Sequence, residues 1–151
     1  MTEGKIYMDE QNRRMCMNFR NNYARLAQEF IRLGQNEKAI KVLDQSLISI
    51  PESNVPYDYF MLSTAEQYYV LKEYEKGNAI VRSLVDRYEN DLIYYTSLRG
   101  EFKKSVQADS DRAKYILQQL IMMTNDKYKD SGLAKEMQDR FVSINSLLMN
   151  Q

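Results

Sequence analysis

Six polar residues recur at helical spacing near the start of the chain: Arg14, Asn18, Asn21, Arg25, Gln28 and Arg32. Spaced by three or four, they share one face of a helix, and no acid interrupts them. Guanidinium forks and side-chain amides in such a row suit a peptide backbone, a carboxylate or a phosphate. The competing reading is a solvated helix face. A second set, Tyr59, Leu62, Glu66 and Tyr69, offers aromatic surface further along the chain. Exposed tyrosines make low-entropy contacts with peptides and stack on sugars; the competing reading is that most of these rings are core or prop a neighbouring loop. The carboxylate pairs Asp9/Glu10 and Asp109/Asp111 could serve acid–base chemistry or a metal. The chain has no His and no glycine-bearing calcium loop, so they read as helix caps and surface charge. Cys16 has no evident base partner and reads as a buried thiol. Met122 and Met123 are candidates for an adaptable exposed pair, against core filling. No catalytic residue, cofactor or metal site is expected.

The composition narrows the class. A chain of 151 residues can form one domain that buries most of its apolar surface. Lys plus Arg and Asp plus Glu are each 21, a net charge of zero, which argues against a dedicated nucleic-acid binder. Two Pro and five Gly are too few for a turn-rich β protein or a disordered linker. One Cys allows no internal disulfide, which fits the cytoplasm and leaves an oxidising compartment open. The absence of His removes Ser-His-Asp and Cys-His mechanisms. No apolar run approaches the roughly 18 residues of a membrane span. Residues 1–9 are too polar and short for a signal peptide.

The candidate residues need helices to position them. Residues 1–8 read as an extended lead-in, and Asp9 as an N-cap. Residues 10–33 contain no Pro or Gly and read as one long helix. Met15, Phe19, Tyr23, Leu26, Phe30 and Leu33 are its expected buried stripe. Gly34 ends it as a left-handed residue. A second helix spans residues 36–50, with Ala39, Ile40, Leu43, Leu47 and Ile50 apolar, and Pro51 stops it. PESNVP at 51–56 is the strongest loop signal, and Pro56 suits the lead-in to a third helix over 57–71. A fourth follows over 74–89. Residues 90–98 either continue it or form a short helix, and residues 99–100 break the chain. Asp109 or Ser110 caps a long helix to about residue 127. Its apolar face runs from Ala113 through Ile116, Leu117, Leu120 and Ile121 to Thr124. Residues 130–132 turn, and a last helix over 133–149 carries Leu133, Met137, Phe141, Ile144 and Leu148.

Residues 20–51, RNNYARLAQEFIRLGQNEKAIKVLDQSLISIP, resemble one helix–turn–helix unit of a tetratricopeptide repeat, a unit of about 34 residues. Tyr23, Leu26, Ala27 and Phe30 supply the aromatic, the Leu, the small residue and the second aromatic of the first helix. Ala39, Leu43 and Ser46 supply small, large and small on the second, and Pro51 closes the unit. Aligning Ala39 with Gly77 gives a second, degenerate unit at an offset of 38 residues. Ala65 and Tyr68 match well there, whereas Met61 and Thr64 match poorly. The resemblance implies an all-α, right-handed stack of antiparallel helical hairpins with about six to seven helices. They fall within a single domain over 9–151: units at about 20–53 and 58–91, then a divergent pair at about 107–149 that shields the last core. In this register Asn21, Arg25, Gln28 and Arg32 line a concave groove, joined by Tyr59, Leu62, Glu66 and Tyr69, while Tyr68 points to the core. The chaperone-tail clamp of some such domains is not supported, because Ala24 and Gln28 stand where its Lys–Asn pair belongs.

A longer resemblance lies outside the repeat pattern. YMDEQNRRM (7–15), NFRNNYARLA (18–27), VPYDYFML (55–62) and AEQYY (65–69) resemble the C-terminal soluble domain of a bacterial family of multi-spanning membrane proteins. The membrane part of that family is similar to lipid-linked-sugar glycosyltransferases of the mannosyltransferase type. The resemblance covers the chain to about residue 127. It implies a helical domain outside the membrane, on the periplasmic face, joined to the membrane only through a preceding region, and it carries no catalytic residue onto this chain. The expected function is a non-catalytic interaction scaffold for a protein or peptide partner of anionic character. The alternatives are a glycan- or peptide-substrate-binding domain of that enzyme, and a free-standing cytoplasmic adaptor.

Overall fold

The computed structural model describes residues 9–149, the side chains of Leu147 and Leu148 excepted. The lead-in at 1–8 and the expected burial of Leu148 fall outside that set. The described residues are all-helical. They form α1 (Glu10–Arg32), α2 (Asn36–Ser49), α3 (Met61–Val70), α4 (Tyr74–Ser97), α5 (Glu101–Ser105), α6 (Gln107–Met122) and α7 (Ala134–Met149). A π-helical turn at Met123–Lys127 and a 3-10 turn at Lys129–Ser131 join the last two. The chain divides into two compact units after Ile80, within α4. No described helix is long and apolar enough to cross a membrane.

In the first unit α2 folds back on α1, and α3 lies against both, chiefly against α1. Asp9 caps α1 as its position suggests: its carboxylate accepts from the Asn12 N–H at 2.7 Å, and Glu10 and Arg32 complement the dipole at either end. The helix stops in a paired turn. Gly34, at φ +71, donates to the Ile31 carbonyl at 2.9 Å, and Gln35 donates to Phe30 at 2.8 Å. This is the 5→2 and 6→1 pattern of a left-handed helix stop. The same turn recurs after α3, where Lys72 donates to Tyr69 at 3.0 Å and Glu73 to Tyr68 at 2.9 Å. Lys72 takes the glycine's place at φ +62, the one non-glycine with positive φ among the described residues. A side chain in that region costs about 1 kcal/mol. Lys72→Gly is therefore expected to raise stability by about 0.5–1 kcal/mol in chemical denaturation, with an unchanged denaturant slope.

The face that α1 buries is not the expected one. Arg20, Ala24 and Ala27 are fully buried, whereas Met15, Phe19, Leu26 and Leu33 are exposed and Tyr23 and Phe30 half-buried. Both neighbours of α1 in this unit sit on its alanine side, where small side chains let backbones approach closely. On α2 the expected register holds at Ala39, Leu43 and Ile50, all buried. Helix α3 begins at Met61 rather than residue 57. In a helix the Pro56 carbonyl would accept from the residue 60 N–H; instead it accepts from Arg20. Within α4, Gly77 faces the Tyr69 ring so closely that a Cβ would lie 2.5 Å from its Cε1. That close approach is why the small position of this hairpin holds glycine where the first holds Ala39.

In the second unit α4 runs on without a break through residues 90–97. The core is built from Leu84, Val85 and Leu92 on α4, Ile116, Leu117 and Leu120 on α6, and Leu133, Met137 and Ile144 around α7. Two arginines of opposite helices tie α4 to α7. Arg82 forks onto Glu136, its Nη2 at 2.9 Å from Oε2, and Arg140 donates to Asp86 at 2.6 Å and to Glu89. The long helix expected to reach residue 127 is α-helical only to Met122. There the buried Thr124 hydroxyl donates to the Leu120 and Ile121 carbonyls, each at 3.1 Å, and the ladder widens into the π turn.

Candidate functional site

The polar row of α1 stands in solvent. Arg14, Asn18, Arg25, Gln28 and Arg32 are exposed and Asn21 is half-buried. Arg14 meets Glu10 at 3.4 Å and Arg32 meets Glu29 at 2.8 Å, pairs made within the helix between exposed groups. Such pairs contribute little and exchange readily for a partner's carboxylates. Asn22, Arg25, Leu26, Gln28 and Glu29 line an open depression along this helix.

On α3 the expected set shifts. Tyr59 is exposed and Leu62 and Glu66 are half-buried, but Tyr69 is 2% exposed, and its hydroxyl donates to Asn78 Oδ1 at 2.9 Å. Tyr69 is therefore core and not groove. A row through Tyr59, Ser63, Glu66 and Val70 is exposed at its ends and half-buried in its middle. These lie 38 residues beyond Asn21, Arg25, Gln28 and Arg32. Of the expected set only Tyr69 leaves the surface; Leu62 is half-buried, like Ser63 and Glu66. Tyr68 points to the core as expected.

Two polar clusters that the spacing did not reveal hold these rows in place. The first is Arg20, 0% exposed. Its Nη2 donates to the Ile50 carbonyl at 2.9 Å and to the Val55 carbonyl, and its Nη1 to Pro56 at 3.2 Å. Its guanidinium lies 5.1 Å from the Tyr57 ring centre. Burial lowers its pKa, opposed by Tyr57 and the nearby Asp58, Cys16 and Glu52. One side chain thus satisfies the carbonyls of the loop between the two hairpins. The signal available in the sequence was an arginine among alanines, Arg20, Ala24 and Ala27, at helical spacing.

The second cluster is built on Asp44. Its Oδ1 accepts from the Tyr68 hydroxyl at 2.8 Å, and Lys76 donates to both carboxylate oxygens at 2.8 Å. Burial, and then the hydrogen bond to Asp44, push the Tyr68 pKa well above the usual tyrosine range. An unfolded tyrosine ionises near pH 10 while the folded one keeps its proton, so the folded state binds more protons above that pH. Stability is therefore expected to be insensitive to this group below about pH 10 and to fall above it, by about 1.4 kcal/mol per pH unit. Denaturant midpoints in mildly and strongly alkaline buffer measure it. Tyr68→Phe should flatten the alkaline decline.

No set of three or more His, Cys, Asp or Glu among the described residues is placed to hold a metal ion. Cys16 is half-buried rather than enclosed. Met122 is 55% exposed and Met123 is buried, so only one of the two offers surface. The arrangement presents donors along α1 and the exposed Tyr59 ring ahead of α3. In comparison with known proteins, no family model, no curated protein and no solved structure matches the chain.

Proposed function

We propose that this chain is a non-catalytic protein–protein interaction scaffold, a right-handed stack of tetratricopeptide-like hairpins whose partner lies along the exposed rows of α1 and α3. The observation that carries the reading is the row Arg14, Asn18, Arg25, Gln28 and Arg32, exposed along α1, in which Arg14 and Arg32 pair with exposed acids of the same helix. The repeat architecture draws support from the two paired helix stops 38 residues apart. The buried pairs Ala27/Ala65, Ala39/Gly77 and Leu43/Val81 stand at that same offset. The words at 7–15, 18–27, 55–62 and 65–69 support a further placement, as the periplasmic domain of a membrane-embedded glycosyltransferase-like protein. Three arginines on one face of α1, Arg14, Arg25 and Arg32, favour an anionic or carboxylate-bearing partner, and salt weakens that attraction.

The test is a peptide array read with the parent and the Arg25→Ala/Arg32→Ala variant at low and high ionic strength. The variant should lose acidic-peptide binding by about tenfold or more, equivalent to about 1.4 kcal/mol, with its melting temperature unchanged. A folded variant that keeps every partner of the parent makes the row a solvated face. Binding that survives charge removal but fails with Tyr59→Ala favours a glycan or aromatic-stacking ligand instead.

A further inference from the structure

Helix α1 carries an apolar ridge that nothing in its own unit covers. Met15, Phe19, Leu26 and Leu33 are 52%, 52%, 46% and 57% exposed. At about 100° per residue they fall within about 40° of one another around the helix. The ridge runs for about 27 Å along the axis, at about 1.5 Å per residue. Single exposed apolar residues are ordinary on a protein surface; four large ones aligned on one helix face, with Asn22 and Glu29 between them, are not.

The chain itself shows what the flank that shares Leu26 with this ridge packs against. The 38-residue offset that equates the two helix stops also equates Tyr23, Leu26 and Phe30 with Met61, Thr64 and Tyr68. On α3 those three are 0%, 1% and 0% exposed, and the main neighbour of α3 in the first unit is α1, whose buried side there is made of Ala24 and Ala27. The corresponding side of α1 is only partly covered: Leu26 is exposed, and Tyr23 and Phe30 are half-buried. The contact that the fold makes once, a large-residue flank laid against a small-residue helix face, is left unmade one register earlier.

The charge beside the ridge narrows the occupant. Arg14, Arg25 and Arg32 flank one edge. Arg14 and Arg32 hold the exposed Glu10 and Glu29 of the same helix in surface pairs, which exchange readily for a partner's carboxylates. A helix lying along the ridge therefore meets three arginines on that side. Antiparallel pairing of two copies of α1 would bring this edge against its own image. We infer that the α1 ridge is the docking surface for an amphipathic helix of another protein, with small and apolar residues in its seam and acids along one flank. The inference shares the arginine row with the proposed function but stands on the ridge, so substitutions in the ridge separate the two.

The test uses the full chain and two synthetic helical peptides with one alanine/leucine seam. One carries Glu along the flank and the other carries Lys. Titration followed by backbone amide shifts should place the Glu peptide on α1. The Lys peptide should bind about tenfold or more weakly, a difference of about 1.4 kcal/mol, and added salt should narrow the gap. Phe19→Asp/Leu26→Asp should abolish binding at an unchanged melting temperature, since both side chains already face solvent. Arg25→Glu/Arg32→Glu should reverse the preference between the peptides. Equal binding of the two peptides, no binding of either, or binding that survives Phe19→Asp/Leu26→Asp overturns the inference. So does a concentration-dependent dimer of the parent that Phe19→Asp abolishes, which assigns the ridge to a second copy. Loss of array binding in the arginine variant with Glu-peptide binding intact in the ridge variant leaves only the polar-row reading standing.

Discussion

Arg20→Ala is expected to destabilise the first unit by about 3–5 kcal/mol, a large fraction of the roughly 5–15 kcal/mol that holds a domain folded. Three donated hydrogen bonds disappear together. The Ile50 and Val55 carbonyls lose their charged donor in a loop whose Val55 is fully buried. Each buried acceptor left without a partner costs about 1–3 kcal/mol. The stacking of the guanidinium on Tyr57 goes as well. Chemical denaturation followed by far-ultraviolet circular dichroism measures the loss. Arg20→Lys should recover only part of it, because an ammonium cannot reproduce the planar fork that reaches three carbonyls. Arg20→Met, which keeps bulk without donors, separates lost packing from lost hydrogen bonds. An Arg20→Ala midpoint within experimental error of the parent would mean the loop holds its shape without the clamp.

Leu43→Ala is the second large effect, at about 2–5 kcal/mol. Leu43 is 0% exposed on the side of α2 that also buries Ala39 and Ser46. The buried face of α1 opposite offers Ala24 and Ala27, side chains with no torsion by which to refill a cavity. The site therefore collapses little, which places the expected loss toward the upper part of that range. Ile48→Ala is the control on the same helix: Ile48 is 73% exposed, and its truncation should change stability by no more than about 0.5 kcal/mol. Equal losses for the two would overturn the register of α2.

Both expectations bear on how the rows of α1 and α3 are held. The α1–α2 hairpin sets the direction of α1, and Arg20 sets where the loop ends and α3 begins. A ligand that spans both rows reads a spacing that these two residues maintain. Arg20→Lys is thus a useful probe of binding as well as of stability: a small shift in the start of α3 should weaken a partner that contacts Tyr59 and leave one confined to α1 unaffected.

The sequence by itself determined the local grammar of this protein. Asp9, Gly34 and Pro51 mark ends of α1 and α2, because capping, left-handed φ and the missing proline N–H act over a few residues and need no distant partner. The buried register of α2 was legible for a related reason: its single strong apolar face leaves only one side to bury. Tertiary structure alone decided which side of α1 is covered. That helix has a small-residue face at Ala24 and Ala27 and a large-residue face at Met15, Phe19, Leu26 and Leu33. Periodicity finds both and ranks the larger one as core, but close approach of α2 and α3 selected the smaller. The same holds for Arg20, which reads as surface charge until a loop 30–36 residues away brings three carbonyls to it. Tyr69 turned inward because Gly77 leaves room for its ring. Contacts between residues far apart in the chain depend on shape and on which donors and acceptors meet, and no local pattern encodes those.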